Sequence, residues 1–440
     1  MPASPSLLIV PARFKTGKLY TQIATTSAGV VLGSSGDFNV TRGTTATRFN
    51  SAGLIEVVAS GIPRLDYYTS GGTAGCPALL VEASGTNLIV QSQNWLASGW
   101  RSDATGNVTT VSATTGTLDP LGTNTANAIS PTSGNTTHIK VGSDDAVNFT
   151  SGTVYTASAF FKQGTGNAGR YIQIAWPLLR FAANSFANFD LQLGTVSLVS
   201  GSNVTAGIEN YGNGWYRCRC TNTCISTDRG NGISMPLIET SGATRLPTFT
   251  GTTTDVLYGW GAQTETGSIA TSYIPTTTAS ATRNAEVISL SGAVSGCIGQ
   301  TEGTIYAEVD VRNFVTNGRI LAITDGISAS NAIEFRINTS SRIRGLITAS
   351  TNIVADINTS TNQPIGIYKM ALAYAQNDFA LYINGTQIGT DTDGQMPINL
   401  SKINIGTSAV DLNFLNDRIR SAALYTTRLT NAELAALTTL

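Results

Sequence analysis

The residues best suited to chemistry in this sequence are two carboxylates in the stretch Glu308-Val-Asp310-Val-Arg312. Apolar and polar residues alternate through this stretch, which predicts a β-strand. Side chains two positions apart on a strand point to the same face, so Glu308 and Asp310 should lie side by side. Paired carboxylates can flank a glycosidic bond. Both are therefore candidate ligand-binding residues, and a solvated strand face without chemistry is the alternative.

Sugar binding also requires an exposed aromatic ring, and Trp176 is the best candidate for one. It stands directly before Pro177, at the end of a predicted strand. Trp260 shares a strand face with Tyr258, so we expect it in a core, and Trp215 is also expected to be structural. The five tryptophans of the chain are Trp95, Trp100, Trp176, Trp215 and Trp260.

Metal binding and nucleophilic catalysis are only weakly suggested. The C-x-C-x3-C motif at 218–224 has a zinc-like spacing, but Cys218 and Cys220 alternate with polar residues as core thiols would. His138 is the only histidine, and nothing near it resembles a nucleophile elbow. The acidic turns at 391–394 and 411–417 suit either Ca²⁺ or ordinary Asx turns. We expect no cofactor, with Ca²⁺ as the alternative.

The composition excludes several classes of function. Charged residues make up only 12% of the 440 residues, and the net charge is −1. A nucleic-acid partner would require a cationic surface, so none is predicted. No apolar run reaches the roughly 18 residues of a membrane span, so membrane insertion is not expected. No cleavable export signal is recognisable near the start.

The elements that must position these residues are short period-two segments separated by Gly and Asn turns, which predict an all-β fold. Residues 96–285 should form one antiparallel sandwich that ends in a Thr/Ser-rich linker. Residues 286–440 should form a second sandwich, closed by one short helix with a capping box at Thr430 and Glu433.

Residues 1–95 are predicted to be extended chain with short strands. Their apolar runs are broken by Gly and Pro, and they have no compact core of their own. We expect this segment to become ordered on a partner, and the remainder of the chain to stay folded without it.

Several motifs resemble those of bacteriophage fibre, spike and head-decoration proteins with a carbohydrate-binding-module-like sandwich. "WGAQTE" at 260–265, "TSYIPT" at 271–276 and "TR" at 282–283 match the closing segment of that sandwich. "GNGWYRC" at 212–218 matches its penultimate strand. The stretches at 41–67 and 77–95 also resemble the segment that precedes it in phage virion proteins.

The C-terminal residues resemble the concanavalin-A-like, laminin-G-like jelly roll. "FALYINGTQIG" at 379–389 matches its central hairpin, and residues 414–440 match its last strand and helix, with Asp417 where the family often has Gly. The same fold hosts β-glucanases, whose signature resembles E-x-D-x-E or E-x-D-x-x-E. Here the third position is Arg312 or Asn313, and neither can donate the proton that a leaving sugar needs.

The resemblances imply a non-enzymatic virion protein that displays glycan- or host-surface-binding sandwiches. They imply virion partners bound through residues 1–95, a homo-oligomer that is most often a trimer, and host surface polysaccharide as a ligand. A capsule-degrading enzyme and a cellular lectin are the alternatives.

Overall fold

The structure is a computed structural model that describes residues 4–25, 29–32, 37–102, 108–112, 116–291, 296–315, 317–338, 340–408 and 410–440. Antiparallel strands dominate these residues, and the one α-helix among them is α1 (Asn431–Thr438). The predicted all-β fold with a short C-terminal helix is confirmed. No helix in this part of the chain is long and apolar enough to cross a membrane.

The strands follow one another at short intervals along the chain. Those before residue 96 are β1 (Leu7–Ile9), β2 (Phe14–Lys15), β3 (Lys18–Leu19), β4 (Gln22–Thr25), β5 (Gly29–Leu32), β6 (Phe38–Thr41), β7 (Ala46–Phe49), β8 (Ile55–Val58), β9 (Leu65–Tyr68), β10 (Ala74–Val81) and β11 (Gly85–Asn87). Those between residues 96 and 285 are β12 (Trp100–Ser102), β13 (Val108–Ser112), β14 (Asn127–Pro131), β15 (Asn135–Thr136), β16 (Ile139–Gly142), β17 (Val147–Phe149), β18 (Val154–Thr165), β19 (Tyr171–Ala175), β20 (Phe186–Asp190), β21 (Thr195–Ser200), β22 (Thr205–Asn210), β23 (Trp215–Thr223), β24 (Asp228–Gly230), β25 (Ile233–Ile238), β26 (Phe249–Thr250), β27 (Val256–Thr266) and β28 (Ala281–Arg283). The remainder are β29 (Val287–Ser291), β30 (Glu302–Val311), β31 (Gly318–Thr324), β32 (Ala332–Ile337), β33 (Ile343–Ala349), β34 (Asn352–Asn358), β35 (Gly366–Ala375), β36 (Asp378–Ile383), β37 (Thr386–Asp391), β38 (Lys402–Ile405) and β39 (Asp417–Tyr425).

The first sandwich packs two six-stranded antiparallel sheets face to face. One sheet has the strand order β12-β16-β25-β19-β20-β21 and the other β13-β14-β27-β18-β23-β22. Alternate residues of each strand, such as Ile172 and Ile174 on β19, fill the core between them. The period-two pattern in the sequence therefore predicted the buried face of these strands correctly.

Two glycines of β27 are explained by close approaches. A Cβ on Gly259 would lie 2.2 Å from the Trp95 ring, so only glycine lets that indole pack there. Gly261 has φ +62, a left-handed conformation that glycine adopts at little cost, beside a register shift in the β18–β27 pairing. These glycines shape the sandwich around its tryptophans.

The second sandwich packs a ten-stranded sheet on a nine-stranded sheet. The ten-stranded sheet has the order β37-β36-β35-β30-β39-β1-β4-β5, with β10 also paired to β39 and β9 paired to β10. The nine-stranded sheet has the order β2-β3-β6-β29-β38-β31-β32-β33-β34. As predicted, β30 turns Ile305, Ala307, Val309 and Val311 inward, where all four are fully buried.

Strands from the first 95 residues lie inside both sheets of this second sandwich. Leu7 on β1 pairs with Leu424 on β39, and Leu79 on β10 pairs with Ile419 on the same strand. Both leucines are fully buried, as is Phe38 of β6 in the opposite sheet. These apolar runs have no compact core of their own, and they share the core of the second sandwich with strands from the C-terminal half of the same chain. The attachment role of the segment stays a prediction.

Local signals at the C-terminus act as predicted. Asn384 and Gly385 have φ values of 50° and 79°, as a type I′ hairpin turn requires between β36 and β37. The Thr430 side chain accepts a hydrogen bond from the Glu433 N–H, and the Glu433 carboxylate accepts one from the Thr430 N–H. The helix buries Leu434 against the outer face of the ten-stranded sheet.

Candidate functional site

Trp176 is buried, so the prediction that it forms an exposed sugar platform is wrong. It is 1% exposed and packs against Phe181, with ring centroids 4.4 Å apart and tilted planes, and Phe149 lies on another side. β19 ends at Ala175, and after Pro177 the chain turns back so that Phe181 covers the indole, with the Phe181 N–H donating to the Pro177 carbonyl oxygen at 3.2 Å. All five tryptophans are at most 9% exposed, so each contributes to packing and none presents a face to solvent.

Glu308 and Asp310 lie together in a groove of about 580 Å³ on the outer face of the ten-stranded sheet. The sheet places Glu308 opposite Lys369 on β35 and opposite Ser421 on β39. Helix α1 covers the neighbouring part of this face, so the groove begins where the helix leaves the sheet uncovered. The sequence therefore predicted correctly that the two carboxylates share a face.

Arginines neutralise both carboxylates of the groove. Arg312 donates to the two oxygens of Asp310 from Nε and Nη2, at 2.9 and 3.0 Å. Arg420 Nε lies 3.2 Å from Glu308 Oε1. Asp310 is buried and its bidentate pair occupies both oxygens, while Glu308 stays half-buried. The groove can therefore offer charged and hydrogen-bonding groups to a ligand, but Arg312 stands where an acid would be needed for hydrolysis.

The acidic turns considered for Ca²⁺ bind protein groups. Asp391 accepts the N–H of Asp393 at 3.1 Å, which is an Asx turn. Asp411 accepts from the Asn404 amide at 2.8 Å. In the part of the chain that the structure describes, no three His, Cys, Asp or Glu side chains are grouped as metal ligands would be.

Asp417, the departure from the jelly-roll motif, is a buried carboxylate. Its Oδ2 accepts the backbone N–H groups of Arg312 and Asn313 at 2.6 and 2.8 Å, so it ties the end of β30 to β39. Its Oδ1 has no hydrogen-bond partner among the described residues. Burial raises the pKa of Asp417 to about 8, against the opposing effect of nearby Arg418.

The three cysteines of the C-x-C-x3-C motif and the histidine lie in structural positions. Cys218, Cys220 and Cys224 are buried in the core of the first sandwich, and burial raises the pKa of the Cys220 thiol to about 12. His138 is buried against the Phe249 ring, and its Nε2 lies 3.1 Å from the Phe249 carbonyl oxygen. Neither arrangement presents a nucleophile to solvent.

The closing motif of the first sandwich fastens a loop over the N-terminal segment. Gln263 accepts the Ile274 N–H at 2.8 Å, and Glu265 accepts both the N–H and the hydroxyl of Thr271. The loop then offers Ser272, whose N–H and hydroxyl donate to the two oxygens of Glu82 at 2.8 and 2.7 Å. The motif residues thus have a structural role, which joins the first sandwich to residue 82.

A buried ion network continues from this contact. Glu82 pairs with Arg64 and with Arg283 at 2.8 and 2.9 Å, and Glu286 pairs with Arg64 and with Arg42 at 2.6 and 2.9 Å. Each of these side chains is at most 5% exposed. Burial raises the pKa of Glu82, but Arg283 and Arg64 outweigh it and hold that pKa well below its usual range. Sequence patterns missed this network because its members are far apart in the chain.

Part of the chain matches a known family. Residues 283–435 match the model of the concanavalin A-like lectin/glucanases superfamily. The predicted resemblance of the C-terminal sandwich to that fold is thereby confirmed for this region. No curated protein matches the chain.

Similar solved structures include carbohydrate-binding and other binding domains. The CBM40 of Ruminococcus gnavus IT-sialidase is 15% identical with a TM-score of 0.29, over 32% of this chain and 85% of that one. Domain 4 of AbnA, a GH43 extracellular arabinanase from Geobacillus stearothermophilus, is 15% identical with a TM-score of 0.30, over 39% and 82%. The binding domain of botulinum neurotoxin DC is 16% identical with a TM-score of 0.29, over 35% and 40%. Likenesses this distant say nothing about a ligand of this chain.

Proposed function

We propose that this chain is a non-enzymatic structural protein of a bacteriophage virion that displays glycan-binding β-sandwiches as a fibre, spike or head decoration. The binding part of the proposal is supported by the lectin/glucanase family match over residues 283–435. The phage part is supported by the resemblance of the motifs at 260–265, 271–276 and 282–283 to those of virion proteins. The ligand class we propose is host surface polysaccharide.

The Arg312–Asp310 ion pair favours a binding function over hydrolysis. Glycoside hydrolysis needs one carboxyl group that can donate a proton and a second that acts as base or nucleophile. Here the strand offers Asp310 already held at both oxygens by Arg312, and Glu308 beside Arg420. A guanidinium in the third position can hold a sugar hydroxyl or an acidic group, but it cannot protonate a leaving oxygen.

Two measurements test the proposal. A glycan array probed with the purified full chain should give binding to surface polysaccharides of a bacterial host, and no binding to any glycan would contradict the lectin role. Antibodies against the chain should decorate phage particles in electron micrographs. Binding to glycans without any association with particles would favour a cellular lectin.

A further inference from the structure

A second cleft, distinct from the Glu308 groove, opens on the first sandwich. It measures about 420 Å³ and lies on the outer face of the sheet that contains β16 and β25. Ile139, Val141 and Ser234 form its floor, and the exposed Leu178 contributes to one wall. The lining also carries four arginines: Arg101, Arg180, Arg229 and Arg245.

Among the described residues, two of these arginines have carboxylate partners and two do not. Arg101 pairs with Asp144 at 2.5 Å, and Arg180 pairs with Asp228 at 2.7 Å. Within the described residues, neither Arg229 nor Arg245 forms an ion pair with a carboxylate. Asp145 is the acidic residue of the lining itself, so the cleft keeps an excess of positive charge in a chain whose net charge is −1.

Arg245 is the more unusual of the two. Its Nη2 donates to the Trp176 carbonyl oxygen at 2.7 Å, and its Nε is buried without a hydrogen-bond partner among the described residues. Burial lowers the pKa of the Arg245 guanidinium, and no carboxylate of the described residues offsets that effect. A guanidinium that is partly desolvated and lacks an anion is costly to keep, so an anionic ligand would stabilise it.

The loop that carries Arg245 is rigidly supported. Two fully buried amides of the sheet hold it: Asn188 donates to the carbonyl oxygens of Ser241 and Ala243, and Gln173 donates to that of Thr244. Gln173 also accepts the N–H of Leu246 at 2.9 Å. These bonds fix the residues on both sides of Arg245, which pre-organises the guanidinium at the cleft wall.

We propose that this cleft binds the carboxylate of an acidic sugar in a host glycan, with Arg245 and Arg229 as the anion-recognising residues. The inference rests on the proposed glycan-binding function and names the ligand class of a second site. The planar guanidinium of arginine matches a carboxylate in two parallel hydrogen bonds. The apolar floor and Leu178 suit the C–H face of a sugar ring, and Ser234 and Asn231 offer polar groups to its hydroxyls.

Calorimetry on the full chain tests the proposal with matched probes. The probes are sialylated and uronic-acid-containing oligosaccharides, each compared with its own carboxyl methyl ester, which keeps the shape and removes the charge. We expect at least one acidic probe to bind, and its ester to bind at least about tenfold more weakly. Arg245→Ala should weaken binding of the acidic probe by about tenfold or more, and Arg229→Ala, at an exposed residue, should separately do the same. Arg13→Ala removes the same charge from an exposed site on the other sandwich and should leave the affinity unchanged.

Arg245→Lys keeps the positive charge but not the planar fork of the guanidinium. Thermal melting of each variant checks that a loss of binding is not due to misfolding. Equal binding of acid and ester, or wild-type affinity in both alanine variants, would overturn the acidic-sugar site while glycan binding elsewhere stands. Binding of neutral glycans alone would also overturn it. Failure of every glycan, acidic or neutral, would instead contradict the proposed function itself.

Discussion

Ser272 and Glu82, 190 residues apart in the chain, are joined by two hydrogen bonds, from the serine N–H and hydroxyl to the two carboxylate oxygens at 2.8 and 2.7 Å. Through this contact the loop after β27 meets the residue that follows β10, and Arg64 and Arg283 complete the charge balance of Glu82. The "TSYIPT" motif therefore has a structural role, linking the first sandwich to Glu82, that is independent of any ligand.

Replacing Glu82 should destabilise the whole protein. Glu82→Gln leaves Arg64 and Arg283 buried with one fewer anion, and removing one partner of such a buried pair costs about 3–5 kcal/mol. Urea denaturation of the variant and the wild type measures the change in the free energy of unfolding. The matched control is Asp356→Asn, which breaks the more exposed pair with Arg344 and should cost less than about 1 kcal/mol. Equal losses in the two variants would contradict a stabilising role for the network.

Removing residues 1–81, which leaves the first-sandwich core residues Ile89 and Trp95 in place, should unfold the second sandwich. The truncation takes β1 and β10 away from β39 and exposes the core face that Leu7, Phe38 and Leu79 cover. We expect amide protons of β30 and β39 to lose their protection from hydrogen exchange. The core strands of the first sandwich, such as β18 and β23, serve as the internal control because they pair with each other. Unchanged protection in β30 and β39 would mean that the segment is dispensable for folding.

Asp417 should make stability fall as the pH rises. Its pKa is raised to about 8 in the folded protein, while an unfolded Asp titrates near about 3.9. Between these values the folded chain holds a proton that the unfolded chain has lost, so stability is greatest below about pH 4 and decreases until about pH 8. Asp417→Asn keeps an acceptor for the Arg312 and Asn313 N–H groups and removes this titration.

The stability difference between Asp417→Asn and the wild type should therefore grow with pH, by up to about 1.4 kcal/mol per pH unit in that range. Urea unfolding at pH 5, 6.5 and 8 measures it. Asp378→Asn, which removes a carboxylate from an exposed ion pair with Arg428, is the matched control. A constant difference between Asp417→Asn and the wild type would contradict the raised pKa.

The purified chain should release no reducing ends from host polysaccharide. Arg312 donates hydrogen bonds to both carboxylate oxygens of Asp310, and no proton donor stands in the third position of the strand motif. Glu308→Gln should therefore leave the reducing-sugar assay at the blank level of the wild type. Activity that Glu308→Gln abolishes would establish the capsule-degrading alternative.

The chain should assemble as a homo-oligomer, most simply a trimer. With only 12% charged residues, equivalent surfaces can approach without strong like-charge repulsion, and three copies would give weak sugar sites the benefit of avidity. Light scattering after gel filtration measures the mass, which should be three times the 45.9 kDa of one chain. A mass of one chain at micromolar concentration would contradict the assembly.

Local patterns in the sequence determined the elements that depend on near neighbours. The alternation around Glu308 predicted β30 and its two faces, Asn384-Gly385 predicted a hairpin turn, and Thr430 with Glu433 predicted the start of α1. Each of these depends on backbone preferences and hydrogen bonds within a few residues, so the sequence alone was sufficient.

Only the tertiary structure decided which distant segments share a core. The pairing of Leu7 with Leu424 joins strands more than 400 residues apart, and the periodicity of neither strand identifies the other as its partner. Trp176 has the sequence setting of an exposed ring, yet Phe149 of β17 covers it together with Phe181 of the turn that follows β19. Burial of a side chain is a property of everything packed around it, and that is settled only when the sheets close on one another.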